Sequence, residues 1–148
     1  MINSITWLLV ADSSKARLYS MHKARILQEQ NSKHLELIGE YAHADSRKKG
    51  SELATDKQGE FGSGTFVEAT SPKIHEAEQF AHELIIRLNS ARKEGTFRDL
   101  ILVAPPAFMG LLLKHMPHEI QKCVSQKIEK DYTQDDKQQL VHNLMAHF

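Results

Sequence analysis

The sequence predicts a single α/β domain over residues 1–148, built on a five-stranded mixed sheet with helices on both faces. Three observations carry this. Residues 5–11 (ITWLLVA) and 100–104 (LILVA) are apolar at every or nearly every position, as in strands covered on both sides. Other runs alternate apolar with polar residues, as half-exposed strands do. A long segment after residue 71 repeats apolar residues at intervals of three and four, the helical period. With 148 residues and 41% hydrophobic content, the chain can build one core and not two comfortable ones.

Taken in order, Ile5 to Ala11 is the first central strand, closed by the turn-prone Asp12-Ser13-Ser14. Ala16 to Met21 and His34 to Tyr41 read as two further strands of an antiparallel meander with short links; the last sets Leu35 and Leu37 against Glu36 and His34. Residues 43–70 lack a core pattern and read as a flexible loop. Ser71-Pro72 then supplies an N-cap and a first-turn proline. Ile74, Ala77, Ala81, Leu84, Leu88 and Ala91 mark one apolar helical face, and Gly95 offers a left-handed stop. The second all-apolar strand ends at Pro105-Pro106. A short apolar helix follows over 107–116, broken by Pro117. Val124 to Lys130 alternates as an edge strand, and Thr133 with Asp136 suggests a capping box for a last helix reaching about His147.

The order is βββαβαβα. A right-handed crossover that keeps the two all-apolar strands adjacent gives the spatial order 3-2-1-4-5, the topology of a ribonuclease H-like fold. In such a sheet the binding crevice lies at the carboxyl ends of strands one and four, at Asp12 and at Pro105-Pro106. A two-metal nuclease needs several carboxylates there. Asp12 is one, and Glu76 or Glu78 a second. Alanine and proline stand where the fourth strand would supply the third, and Asp131 follows an edge strand too distant in this topology to serve.

Composition removes other classes. Lysine plus arginine and aspartate plus glutamate both number 19, so no global field draws the chain to nucleic acid or an anionic membrane. Any RNA contact is local. Cys123 is the only cysteine, which fits a reducing compartment, and it reads as a small buried hydrophobe. No apolar run approaches the roughly 18 residues needed to span a bilayer. No basic leader with a cleavage site surrounds 5–11, so a cytoplasmic location is expected and no membrane partner. The histidines do not show zinc spacing: Pro117 separates His115 from His118, and His75 and His82 lack an evident acidic partner on their face. No metal or cofactor is expected.

The stretches TWLLVADSSKARLYS, SELATDKQGEFGSG, EAEQFAHELIIRLN, RDLILVAPPAFMGLLLKHM and KIEKDYT, in that order and over nearly the whole chain, resemble the bacterial family of proteins required for attachment to host cells. That family is similar in fold to the central domain of archaeo-eukaryotic release factors and Pelota, a ribonuclease H-like domain without nuclease acids. The resemblance implies a translation-associated domain that binds RNA or the ribosome. In release factors the loop between third strand and first helix carries a Gly-Gly-Gln tip that acts in the peptidyl-transferase centre. Here that slot holds Gln58-Gly59 and Gly62-Ser63-Gly64 with no such tip, so no catalytic glutamine carries over. The expected contact loop comprises Arg47, Lys48, Lys49, Asp56, Lys57, Gln58, Gly59, Phe61, Gly62, Ser63 and Gly64, with Arg47, Lys48 and Lys49 suited to phosphates. Two alternatives stand beside it: a regulatory or binding role in host attachment, and a metal-dependent hydrolase with Asp12 as its catalytic carboxylate.

Overall fold

The computed structural model describes residues 5–43 and 72–148. Five strands form one sheet: β1 (Thr6–Ala11), β2 (Lys15–Met21), β3 (Leu35–Ala42), β4 (Asp99–Val103) and β5 (Val124–Ile128). Their spatial order is β3-β2-β1-β4-β5. β1 pairs antiparallel with β2 and parallel with β4, in register from Thr6↔Asp99 to Val10↔Val103. β2 pairs antiparallel with β3, and β4 parallel with β5. This is the ribonuclease H-like arrangement the sequence predicts.

The two central strands are apolar throughout because each faces two cores. Leu9, Ala11, Leu100 and Leu102 join one cluster with the helices α2 (Pro72–Lys93) and α3 (Pro106–Lys114), whose Phe80, Leu84, Leu88, Phe108 and Leu112 are buried. The alternate residues Leu8, Val10, Ile101 and Val103 join a second cluster with α1 (Lys23–Glu29) and α5 (Lys137–Met145), through Ile26, Leu140, Val141 and Leu144. Each fully buried leucine contributes about 1.5–3 kcal/mol of transfer free energy. Gly95, at φ +75°, ends α2, and Pro106 opens α3 at its first turn.

Two local expectations are corrected. The link between β2 and β3 is not a short turn: α1 and a 3₁₀ turn (Ser32–His34) fill it. A seven-residue helix burying only Ile26 leaves no periodic stripe to detect. Thr133 does not cap the last helix either. Asp136 does, its side chain accepting from Gln139 N at 2.8 Å. Pro117 does break the chain as expected, with α4 (His118–Gln121) starting beyond it.

β3 shows how an edge strand reconciles one apolar run with two cores. Tyr19 faces Leu37, but Leu18 faces Gly39, so Ile38 is an extra, bulged residue. Leu35 and Leu37 thus lie on the sheet face of α1 and α5, while Gly39 and Tyr41 turn to the face of α2. Tyr41 lies over Gly39, and the Arg87 guanidinium stacks 4.6 Å from the Tyr41 ring centroid.

Candidate functional site at the carboxyl end of the sheet

Asp12 follows β1 and shapes the turn into β2. Its Oδ1 accepts from the amides of Ser14 and Lys15, both at 2.9 Å, the self-capping turn that aspartate favours. Pro105 and Pro106 follow the adjacent parallel strand, Asp12 and Pro105 each lying two residues past the Val10↔Val103 pair. The two segments thus stand side by side at the carboxyl end of the sheet, where Ala104, Pro105 and Pro106 follow β4; the one acid of β4, Asp99, lies at its amino end.

Sequence and structure disagree on Asp131. After β5, residues 129–136 cross back over the carboxyl ends of the strands, so the loop reaches what strand order alone places out of range. The Thr133 hydroxyl lies 2.5 Å from Asp131 Oδ1 and 3.2 Å from Asp12 Oδ2, and the Thr133 amide also donates to Asp131 Oδ1. The threonine is only 2% exposed. Its single hydroxyl proton cannot serve both oxygens at once, and it goes to the nearer. Among the described residues no three His, Cys, Asp or Glu side chains group so as to hold a metal ion.

Arg17 of β2 pins this crossing loop. Its Nη2 donates to Thr133 O at 2.6 Å, and its Nη1 to Asp135 O at 3.0 Å and the Tyr19 hydroxyl at 3.3 Å. Glu40, its neighbour on β3, stays 4.0 Å from Nε and is two-thirds exposed. Beneath the loop opens a cleft of about 290 Å³ lined by Val10, Lys15, Ala16, Arg17, Glu40, Tyr41, Ala42 and Thr133. The Lys-Asp-Tyr-Thr motif and the ADSSKAR segment meet here from positions more than a hundred residues apart, which no local spacing shows. The signal in the sequence is the alternation of Lys15 and Arg17 on a strand, which places two cations on one sheet face.

His43 is only 6% exposed. Its amide donates to Ser14 O at 3.0 Å and its ring stacks on Phe80, with Glu83 4.0 Å from Nδ1. His43 thus closes β3 against β2 and α2, although the sequence assigned it to the loop. The rest of the contact loop (Arg47, Lys48, Lys49, Asp56, Lys57, Gln58, Gly59, Phe61, Gly62, Ser63, Gly64) lies outside the described residues, as does the Ser71 cap.

A second polar group ties α2 to α3. Glu78 Oε2 accepts from Lys114 Nζ at 2.6 Å and lies 2.9 Å from His115 Nε2, while His82 meets the His115 ring edge-on at 4.9 Å. Hydrogen bonds from Lys114 and then His115 hold the Glu78 carboxyl below its ordinary range. Glu78 shares the helical face of His75 and His82 at spacings of three and four, a carboxylate the sequence reading did not place there. Cys123 is half-buried, its thiol 3.6 Å from Glu119 O.

A comparison with curated proteins finds no match. A family model does match, and it spans residues 7–144, from Trp7 on the central strand β1 to Leu144 in α5. It thus takes in all five strands and both motifs that meet at Thr133, and the chain belongs to the family described as protein required for attachment to host cells.

Proposed function

We propose that this domain binds RNA or the ribosome through the carboxyl end of its sheet, in the cytoplasm, without hydrolysing what it holds. The observation that carries the reading is the pinned Arg17, with Lys15 beside it on the same face, at the end where the ribonuclease H-like fold forms its crevice. Asp12, the one carboxylate named for catalysis, is engaged by two backbone amides and faces Thr133. That engagement favours binding over hydrolysis. The likeness to the central domain of release factors, drawn from sequence motifs, supplies the ribosome as partner.

Sedimentation through a sucrose cushion tests this. The protein should pellet with ribosomes at low salt, be released as salt rises, and stay in the supernatant when residues 46–64 are deleted. Protein wholly in the supernatant at low salt contradicts the reading.

The family's own description supports a second reading, a part in attachment to host cells. Fractionation separates the two: protein recovered at the cell surface favours direct attachment, and protein confined to the cytoplasm leaves attachment an indirect consequence.

A further inference from the structure

The cleft under the Thr133 loop has an uneven chemistry. Its apolar lining includes Val10 and Ala42, Val10 belonging to the sheet face that packs on α1 and α5. Its walls carry Lys15, Arg17, Glu40 and the buried Thr133. A guanidinium has five N–H groups. Among the described residues Arg17 spends two on Nη1 and one on Nη2, which leaves the Nε–H and one Nη2–H without a hydrogen-bond acceptor. Glu40 is a loose counter-ion at 4.0 Å, beyond hydrogen-bond reach of Nε. The Lys15 ammonium makes no ion pair or hydrogen bond among the described residues.

Three nearby carboxylates are directed to other partners. Asp12 and Asp131 accept backbone amides and meet at the Thr133 hydroxyl, and Asp135 accepts from Asn143 at 2.7 Å. None of the three lines the cleft. The groups that do line it sum to one positive charge, from Lys15 and Arg17 against Glu40. Adjacent N–H donors on a guanidinium fixed at its far side match two oxygens of one anionic group. At about 290 Å³ the cleft stands at the lower limit of ligand pockets, room for a phosphate with at most one nucleoside.

We infer that this cleft is a phosphate-binding site, in which Arg17 and Lys15 grip the phosphate and Glu40 competes with it for Arg17. The phosphate belongs either to a free mononucleotide or to an RNA strand. The inference goes beyond the translational reading, and the site holds phosphate whether or not the protein meets a ribosome.

The test is a titration of the full-length, isotope-labelled protein in low-chloride buffer, followed by amide NMR. The probes are inorganic phosphate, adenosine 5′-monophosphate and a 5′-phosphorylated tetranucleotide RNA. Saturable shifts should centre on Val10, Lys15 to Arg17, Glu40 to Ala42 and Thr133. Lys15→Ala should weaken binding about fivefold, and Glu40→Gln should tighten it by a similar factor, because one removes a grip and the other a competitor. The mononucleotide binding more tightly than the RNA assigns a free nucleotide; the reverse assigns a strand. Absence of saturable shifts for all three probes overturns the inference, as do shifts centred elsewhere. If Lys15→Ala fails to fold, Glu40→Gln decides alone: unchanged or weakened binding overturns it. Because no ribosome enters this experiment, its failure is separate from a failure to sediment.

Discussion

Thr133 ties its own Asp131 loop to the distant β1–β2 hairpin: its carbonyl accepts from Arg17, and its hydroxyl lies 3.2 Å from Asp12 Oδ2. Nearly all of its surface is buried, so its hydroxyl cannot be replaced by water. Thr133→Val keeps the shape and deletes the hydrogen bond, and should cost about 1–2 kcal/mol. The midpoint of urea denaturation reads this directly, and an unchanged midpoint contradicts a stabilising role for the Thr133–Asp131 hydrogen bond. Gly39 makes a different kind of claim. A Cβ there would fall 2.5 Å from the Tyr41 hydroxyl and 2.9 Å from Cζ. The obstacle is a side-chain end rather than backbone, so Gly39→Ala should displace the ring and cost only about 1 kcal/mol. In a Tyr41→Ala background the same change should cost measurably less. Equal costs in both backgrounds contradict the stacking.

At the scale of elements, what the sequence showed depended on how many residues repeated a signal. β1 and β4 announce themselves because each carries side chains into two cores, and α2 because its buried stripe recurs over 22 residues. α1 leaves no such signal, because one buried isoleucine makes no period. In the sequence Thr133 has the spacing of a cap, because its neighbours Asp12 and Asp131 are 121 and two residues away and only the shorter spacing is visible locally. The bulge at Ile38 was equally hidden: Leu35, Leu37, Gly39 and Tyr41 have the parity of a single face until Ile38 is added to the register. Both edge strands carry such an irregularity, the second between the Leu100↔Val124 and Ile101↔Gln126 pairs, a device that discourages edge-to-edge pairing.

The α2–α3 tie also makes a prediction at this scale. The carboxyl of Glu78 ionises more readily in the folded chain than in the unfolded one, because Lys114 and His115 donate to it. Its contribution to stability is therefore fully present above the ordinary glutamate range and is lost as pH falls through the lowered folded value. Native protein and Glu78→Gln should differ in urea midpoint near neutral pH and converge as pH falls through the lowered folded value. A difference that persists undiminished in acid contradicts this assignment.

For the whole molecule, the parallel pairing of β1 with β4 places the Asp12 turn, the Pro105-Pro106 segment and the crossing loop at one end of one sheet. The amino end, where Arg98 donates its amide to Ile5 O, carries none of these groups. Binding at the first end, and not the second, is the claim on which the functional account depends. The most direct measurement places a photo-crosslinking residue in living cells either at Ser13, exposed on the Asp12 turn, or at Arg98, exposed at the opposite end. The account predicts RNA or ribosomal protein covalently captured at position 13 and markedly less at position 98. Equal capture at both positions, or none at position 13, contradicts it.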